Sequence, residues 1–136
     1  MKQVYIDANI FIYTYEKHPV YYNKCVRLIS KLETEHYMGI TSVITLLEVV
    51  NPSFVSKTSI DYIRLSLLEL CSLEIRNVTM PIIELALDIK LKYHIKTADA
   101  IHLATAIEAG CDTFITNDKQ IQKVKGLKIL YLDKLV

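Results

Sequence analysis

Four acidic residues stand in settings that solvation alone does not explain. Asp7 ends the apolar run Val4-Tyr5-Ile6, Glu48 lies between Leu46-Leu47 and Val49-Val50, Asp99 follows Thr97-Ala98, and Asp118 follows Thr116-Asn117. Carboxylates brought within a few ångströms of one another repel, and one of them must take a proton unless a cation compensates. An oxygen-only donor set with no cluster of His or Cys suits Mg²⁺ or Mn²⁺ rather than zinc. Mg²⁺ usually keeps several waters, and one of them can become a nucleophile.

Taken singly, each acid also has a plain structural reading. Asp7 and Asp118 suit turns or helix caps, Asp99 suits the first turn of a helix, and Glu48 can find a hydrogen-bonding partner. What sets the four apart is the order of elements that carries them. Val4 to Ile6 reads as a buried strand, and Tyr22, Cys25, Val26, Ile29 and Leu32 fall on one face of a helix that follows Pro19. Tyr37 to Ile40 reads as a second strand, with Thr41 or Ser42 capping a helix from Val43 to about Val50 that Asn51-Pro52 closes. Ile60, Ile63, Leu67, Leu70 and Cys71 mark a further helix, and Leu73 to Arg76 alternates as a strand does.

Beyond that strand, Pro81 to Ile95 fits both periods, and its length and Pro81 favour a helix. Thr97 suits the cap of the next helix, whose buried face is Ala100, Ile101, Ala104 and Ile107 and whose stop is Gly110. Cys111 to Thr116 reads as a strand, Asp118 to Val124 as a short helix and Lys128 to Leu132 as a last strand. Strands alternating with helices predict an α/β fold, a three-layer α/β/α sandwich around a mostly parallel sheet. In such sheets the ligand crevice lies beyond the carboxyl ends of the strands, where Asp7 and Asp118 stand and towards which Asp99 can point.

The 136 residues are enough for one domain, 1–136, and 51% hydrophobic with 23% charged residues excludes a disordered chain. A net charge of +1 gives no whole-molecule argument for nucleic acid. The apolar start is too short for a signal peptide and no run approaches a membrane span, so the expected location is the cytoplasm, with no membrane association. Cys25, Cys71 and Cys111 lack paired spacing and are expected as buried, reduced thiols.

The segments Val4 to Phe11, Ser42 to Glu48, Thr97 to Ala106 and Phe114 to Asp118 together resemble the ordered motifs of PIN-domain nucleases. That resemblance implies that Asp7, Glu48, Asp99 and Asp118 are the metal-binding catalytic acids, with Asn9, Thr116 and Asn117 as supporting polar residues. It implies a Mg²⁺- or Mn²⁺-dependent endoribonuclease. Ile121 and Gln122 stand where some members carry a further acid, so one ion or two stays open. The chain's brevity is similar to the toxin half of VapBC toxin–antitoxin pairs, which implies an RNA substrate, a small cognate antitoxin and a homodimer. A solitary RNA-processing nuclease and a catalytically idle binding domain share the motifs.

Around this core, Tyr13 could stack a base and Lys119 could contact phosphate, as could Tyr15, Tyr21, Tyr22 and the lysines of the carboxyl-terminal half, although packing and solvated faces explain them as well. His102, three residues after Asp99, falls on the same side of its helix and could approach the ion. A phosphatase of the haloacid-dehalogenase type would want Asp where Asn9 stands, a receiver domain would want an Asp within Leu73 to Val78, and no Gly-x-Ser-x-Gly elbow is present.

Overall fold

The computed structural model describes residues 2–50 and 57–135. Five strands, β1 (Lys2–Ile6), β2 (Tyr37–Ser42), β3 (Leu73–Arg76), β4 (Thr113–Thr116) and β5 (Lys128–Tyr131), form one sheet in the order β3-β2-β1-β4-β5. All four pairings are parallel, so the expected mostly parallel sheet is parallel throughout. The helices are α1 (Ala8–Tyr15), α2 (Tyr22–Thr34), α3 (Thr45–Glu48), α4 (Lys57–Leu68), α5 (Met80–Tyr93) and α6 (Thr97–Glu108), with a 3₁₀ turn at Leu132–Lys134.

Alternation along the strands divides the core between two faces, which gives the three-layer α/β/α sandwich. Tyr5, Ile40 and Phe114 pack with Ile82, Ala86 and Ile89 of α5 and Ala100, Leu103 and Ala104 of α6. Val4, Ile6 and Ile115 face the other way, against Ile10 and Phe11 of α1, Cys25 and Leu32 of α2, and Ile63 and Leu67 of α4. Gly39 lets α2 close on that second face, because a Cβ there would stand 3.0 Å from both Ile6 Cδ1 and Leu32 Cδ1.

Several local expectations change. Helix α1 went unread because Ala8 to Tyr15 is apolar on nearly every side and shows little periodicity. The helix expected over Val43 to Val50 contracts to Thr45–Glu48; Thr41 and Ser42 belong to β2, where Ser42 Oγ still accepts from the Ile44 amide at 3.3 Å. Its expected stop, Asn51-Pro52, lies outside the described residues. Lys96 rather than Thr97 caps α6, and the Thr97 hydroxyl instead accepts from Lys90 Nζ at 2.8 Å.

Asp118 to Val124 forms no helix. Asp118 Oδ1 accepts from the Gln120 amide at 2.9 Å, which commits the chain to a turn, and Ile121, Val124 and Leu127 reach the core from irregular backbone. Their three-residue spacing imitates a helical face. Cys25 and Cys111 are buried as expected, and Cys71 is exposed. No described helix is long and apolar enough to cross a membrane.

Candidate active site

The site begins where β1 and β4 end side by side. The Asp7 amide donates to the Ile115 carbonyl at 2.9 Å, extending the ladder by one bond and fixing Asp7 at the strand end. Asp7 is also the N-cap of α1, its Oδ1 accepting from the Ala8 amide at 2.9 Å. Oδ2 accepts from Thr116 Oγ1 at 2.7 Å and from Asn9 Nδ2 at 3.2 Å. A carboxylate that is 4% exposed is thus held by three donors.

The supporting polar residues knit the two strand ends together. Asn9 Nδ2 also reaches Thr116 Oγ1 at 3.1 Å, the Asn117 amide donates to Asn9 Oδ1 at 3.3 Å, and the Asp118 amide donates to Thr116 Oγ1 at 3.0 Å. Asn117 Oδ1 is buried with no partner among the described residues. Asn9, Thr116 and the Asn117 amide thus form a hydrogen-bonded scaffold around Asp7 and Asp118.

Asp99 enters from the first turn of α6. A helix N-terminus favours a carboxylate, yet the Asp99 carboxyl is pushed up to about 6, by burial first and then by the charges of Asp7, Asp118 and Glu48. Asp7, Glu48 and Asp118 thus all lie within electrostatic reach of Asp99. Burial also raises Asp7, against the opposing pull of His102 and the Thr116 and Ala8 hydrogen bonds.

Glu48 is placed differently. It ends the single turn α3, its side chain is a third exposed, and Oε1 lies 2.5 Å from Nε2 of His102. His102 is 1% exposed; its Nε2 is also 3.8 Å from Asp7 Oδ1, and its Nδ1 is 2.6 Å from the Tyr5 hydroxyl. Burial opposes charge on the imidazole, but the hydrogen bond to Glu48 and the charges of Asp7, Glu48 and Asp99 outweigh it, so His102 titrates above its ordinary value. Nε2–H donates to Glu48, and the Tyr5 hydroxyl serves the other nitrogen as donor or acceptor according to the proton on the ring.

Sequence spacing put His102 beside Asp99 but did not connect it to Glu48 or Tyr5. A signal was present, since His102 shares its turn with the buried Ala100, Leu103 and Ala104 and a buried imidazole needs partners. The two substrate-contact candidates have protein partners. Tyr13 stacks on Tyr21 with centroids 5.2 Å apart and packs against His18 at 4.8 Å. Lys119 Nζ lies 2.7 Å from Asp133 Oδ2 and over the Tyr131 ring at 4.3 Å.

The donor set suits a hard divalent cation in chemistry and in charge: it is all oxygen, and the raised Asp99 carboxyl marks an excess of negative charge that a cation relieves. As the side chains lie, no three His, Cys, Asp or Glu residues among those described converge as a ready cage. Glu48 is engaged by His102 instead. A cavity of about 230 Å³ lies away from the acids, between Leu28 and Leu32 of α2 and the face of β1, β4 and β5 that carries Val4, Ile115 and Leu130.

Residues 4–127 match the family model of the PIN domain. No curated protein sequence matches the chain. Among solved structures, one similar chain comes from VapBC2 of Rickettsia felis bound to a DNA fragment from their promoter, with TM-score 0.69 and 21% identity over 95% of this chain and 98% of that one. Another comes from a toxin–antitoxin complex of Klebsiella pneumoniae, with TM-score 0.65 and 22% identity over 95% and 97% of the two chains. A third comes from FitAcB of Neisseria gonorrhoeae, with TM-score 0.68 and 18% identity over 97% and 99%. At these identities the likeness is one of fold.

Proposed function

Since the chain belongs to the PIN-domain family, we propose that it is a Mg²⁺- or Mn²⁺-dependent endoribonuclease and the toxin of a toxin–antitoxin pair. The observation that carries this reading is the gathering of Asp7, Glu48 and Asp118 around Asp99 at one end of a parallel sheet, where burial first and then their charges lift the Asp99 carboxyl to about 6. A protein that spends stability on crowding charges in this way has a use for them.

In this reading Asp7, Asp99, Asp118 and Glu48 hold the ion, directly or through water. A bound divalent cation supplies Lewis-acid polarisation of a phosphoryl oxygen and lowers the pKa of water to near neutrality. The chain's own residues do the positioning. Thr116, Asn9 and the Ala8 amide fix the Asp7 oxygens, and the Thr116 hydroxyl also fixes the Asp118 backbone. In the metal-free protein Asp99 must lose its proton to contribute a full negative charge, so the affinity for the ion should rise with pH through about 6.

The partner half of the reading draws on the fold neighbour that comes from a toxin–antitoxin complex, and on exposed apolar residues. Met80, Ile83, Leu87 and Leu91 form an outward stripe on α5, and Tyr62, Leu65 and Leu68 stand out from α4. Apolar strips of this kind suit burial against another protein, an antitoxin or a second copy of the chain in a cytoplasmic homodimer. Tyr13 and Lys119 are proposed to touch RNA only at their exposed edges.

The test is cleavage of single-stranded RNA by purified protein with Mg²⁺ or Mn²⁺. Cleavage abolished by chelator and by Asp7→Asn or Asp99→Asn supports the nuclease; cleavage that survives both substitutions in folded protein rejects it. Growth arrest on expression, relieved by the product of a small neighbouring reading frame, separates a toxin from a solitary RNA-processing nuclease. A catalytically idle binding domain is favoured by one observation, the engagement of Glu48 by His102, and would bind Mn²⁺ or RNA without cleaving.

A further inference from the structure

We propose that His102, backed by Tyr5, is a positioning residue that sets where the Glu48 carboxylate stands relative to the other three acids, and so governs how tightly the site holds its divalent cation. The inference rests on the metal-dependent reading above. Its ground is a contrast in anchoring. Asp7 is held by three donors from two strands' ends, and Asp118 is fixed through its own backbone and a turn. Glu48 ends a four-residue helix without a side-chain cap, and its hydrogen-bonding partner among the described residues is His102.

The imidazole is itself clamped. Tyr5 is fully buried and stacks on Phe114 with ring centroids 5.0 Å apart and planes 7° from parallel, which fixes the line along which its hydroxyl meets Nδ1 at 2.6 Å. The ring of His102 is held edge-on to Tyr5, at 5.8 Å between centroids. A rigid chain therefore runs from the core, Phe114 to Tyr5 to His102, and ends at the carboxylate that its own helix holds least. Outer groups that orient a ligand typically change metal affinity by about 10- to 100-fold when removed.

Calorimetric titration with Mn²⁺ alone tests this, with RNA cleavage followed as a function of Mn²⁺ concentration. Tyr5→Phe keeps the stacked ring and removes the hydroxyl, and is expected to weaken Mn²⁺ binding roughly five- to tenfold. His102→Leu removes both hydrogen bonds and should weaken it about 10- to 100-fold, moving the Mn²⁺ requirement for cleavage by a similar factor. His102→Gln offers an N–H near the position of Nε2 and should recover most of that loss.

Mn²⁺ binding in Tyr5→Phe equal to that of the unaltered protein overturns the inference, and does so even where His102→Leu fails to fold. His102→Gln as weak as His102→Leu, in folded protein, overturns it in favour of direct ligation by the imidazole. Failure of the unaltered protein to bind Mn²⁺ overturns the metal-dependent reading itself, which keeps the two failures distinct.

Discussion

The two sides of the acidic site are built to different standards. On the β1–β4 side, Asp7, Asn9, Thr116, Asn117 and Asp118 share a closed set of hydrogen bonds at the ends of adjacent strands, and Asp7 is almost wholly out of water. On the α3 side, Glu48 hangs from one turn of helix and leans on His102. The strand ends are tied into the sheet, whereas α3 is a single turn held by the Thr45 hydroxyl against Thr41 and by Val49 in the core, neither contact being made by Glu48 itself. In the proposed metal-bound protein the strand-end half would fix the ion's position and Glu48, placed by His102, would complete its ligands.

The largest expected effect comes from cutting the rigid half. Asp7→Asn keeps the cap to the Ala8 amide but removes a buried negative charge from the centre of the site. RNA cleavage should fall by about 100-fold or more, the scale of losing one preorganised electrostatic group. Metal addition gives the converse: saturating Mn²⁺ should raise the melting temperature of the unaltered protein, and that gain should shrink in Asp7→Asn. Equal gains in both proteins would place the ion elsewhere.

Next in size is Thr116→Val, which is nearly isosteric. It takes from Asp7 its shortest hydrogen bond, 2.7 Å, and from the Asp118 amide its acceptor. Leaving buried polar groups short of partners should cost about 2 kcal/mol, visible as a melting temperature lower by roughly 8 °C. A loss within error would mean that the strand-end network is less rigid than its geometry implies.

The rigid half was also the legible half. Asp7 and Asp118 follow strands whose apolar runs are plain in the sequence, and Asn9, Thr116 and Asn117, which the resemblance to PIN-domain motifs singles out, lie within two residues of them. The α3 side depends on contacts between distant positions: the His102 contacts with Glu48 and Tyr5 span 54 and 97 residues, and no periodicity links them. Helix α1 was hidden for a different reason, because an apolar segment capped by a strand-end Asp reads as more strand or as loop. The false helix after Asp118 came from core residues spaced three apart on backbone that a carboxylate had already turned.

A smaller effect, opposite in sign, tests the crowding that both halves share. The Asp99 carboxyl sits at about 6 in the folded protein against 3.8 for the free group, so the folded state holds its proton over that interval and stability falls as pH rises from about 4 through 6. Asp99→Asn removes the penalty. In the absence of metal it should stabilise the protein at pH 7.5 by about 1 kcal/mol, after allowance for solvent screening at a half-buried group, and have little effect near pH 4. Denaturant unfolding at the two pH values checks this, and stabilisation that is the same at both would mean that the buried, crowded charge of Asp99 is not its source.

The smallest expected effect decides whether the contrast between the halves is real. Glu48→Gln keeps a carbonyl oxygen that can accept from His102 Nε2 and alters only charge on a side chain that is a third exposed. Folding stability should change by less than about 0.5 kcal/mol, in line with other partly solvated charge changes. RNA cleavage should nevertheless fall, because the proposed ion would lose one carboxylate ligand. A stability loss as large as that of Thr116→Val would show that Glu48 is anchored as firmly as the strand ends, and the contrast between the two halves would then have no basis.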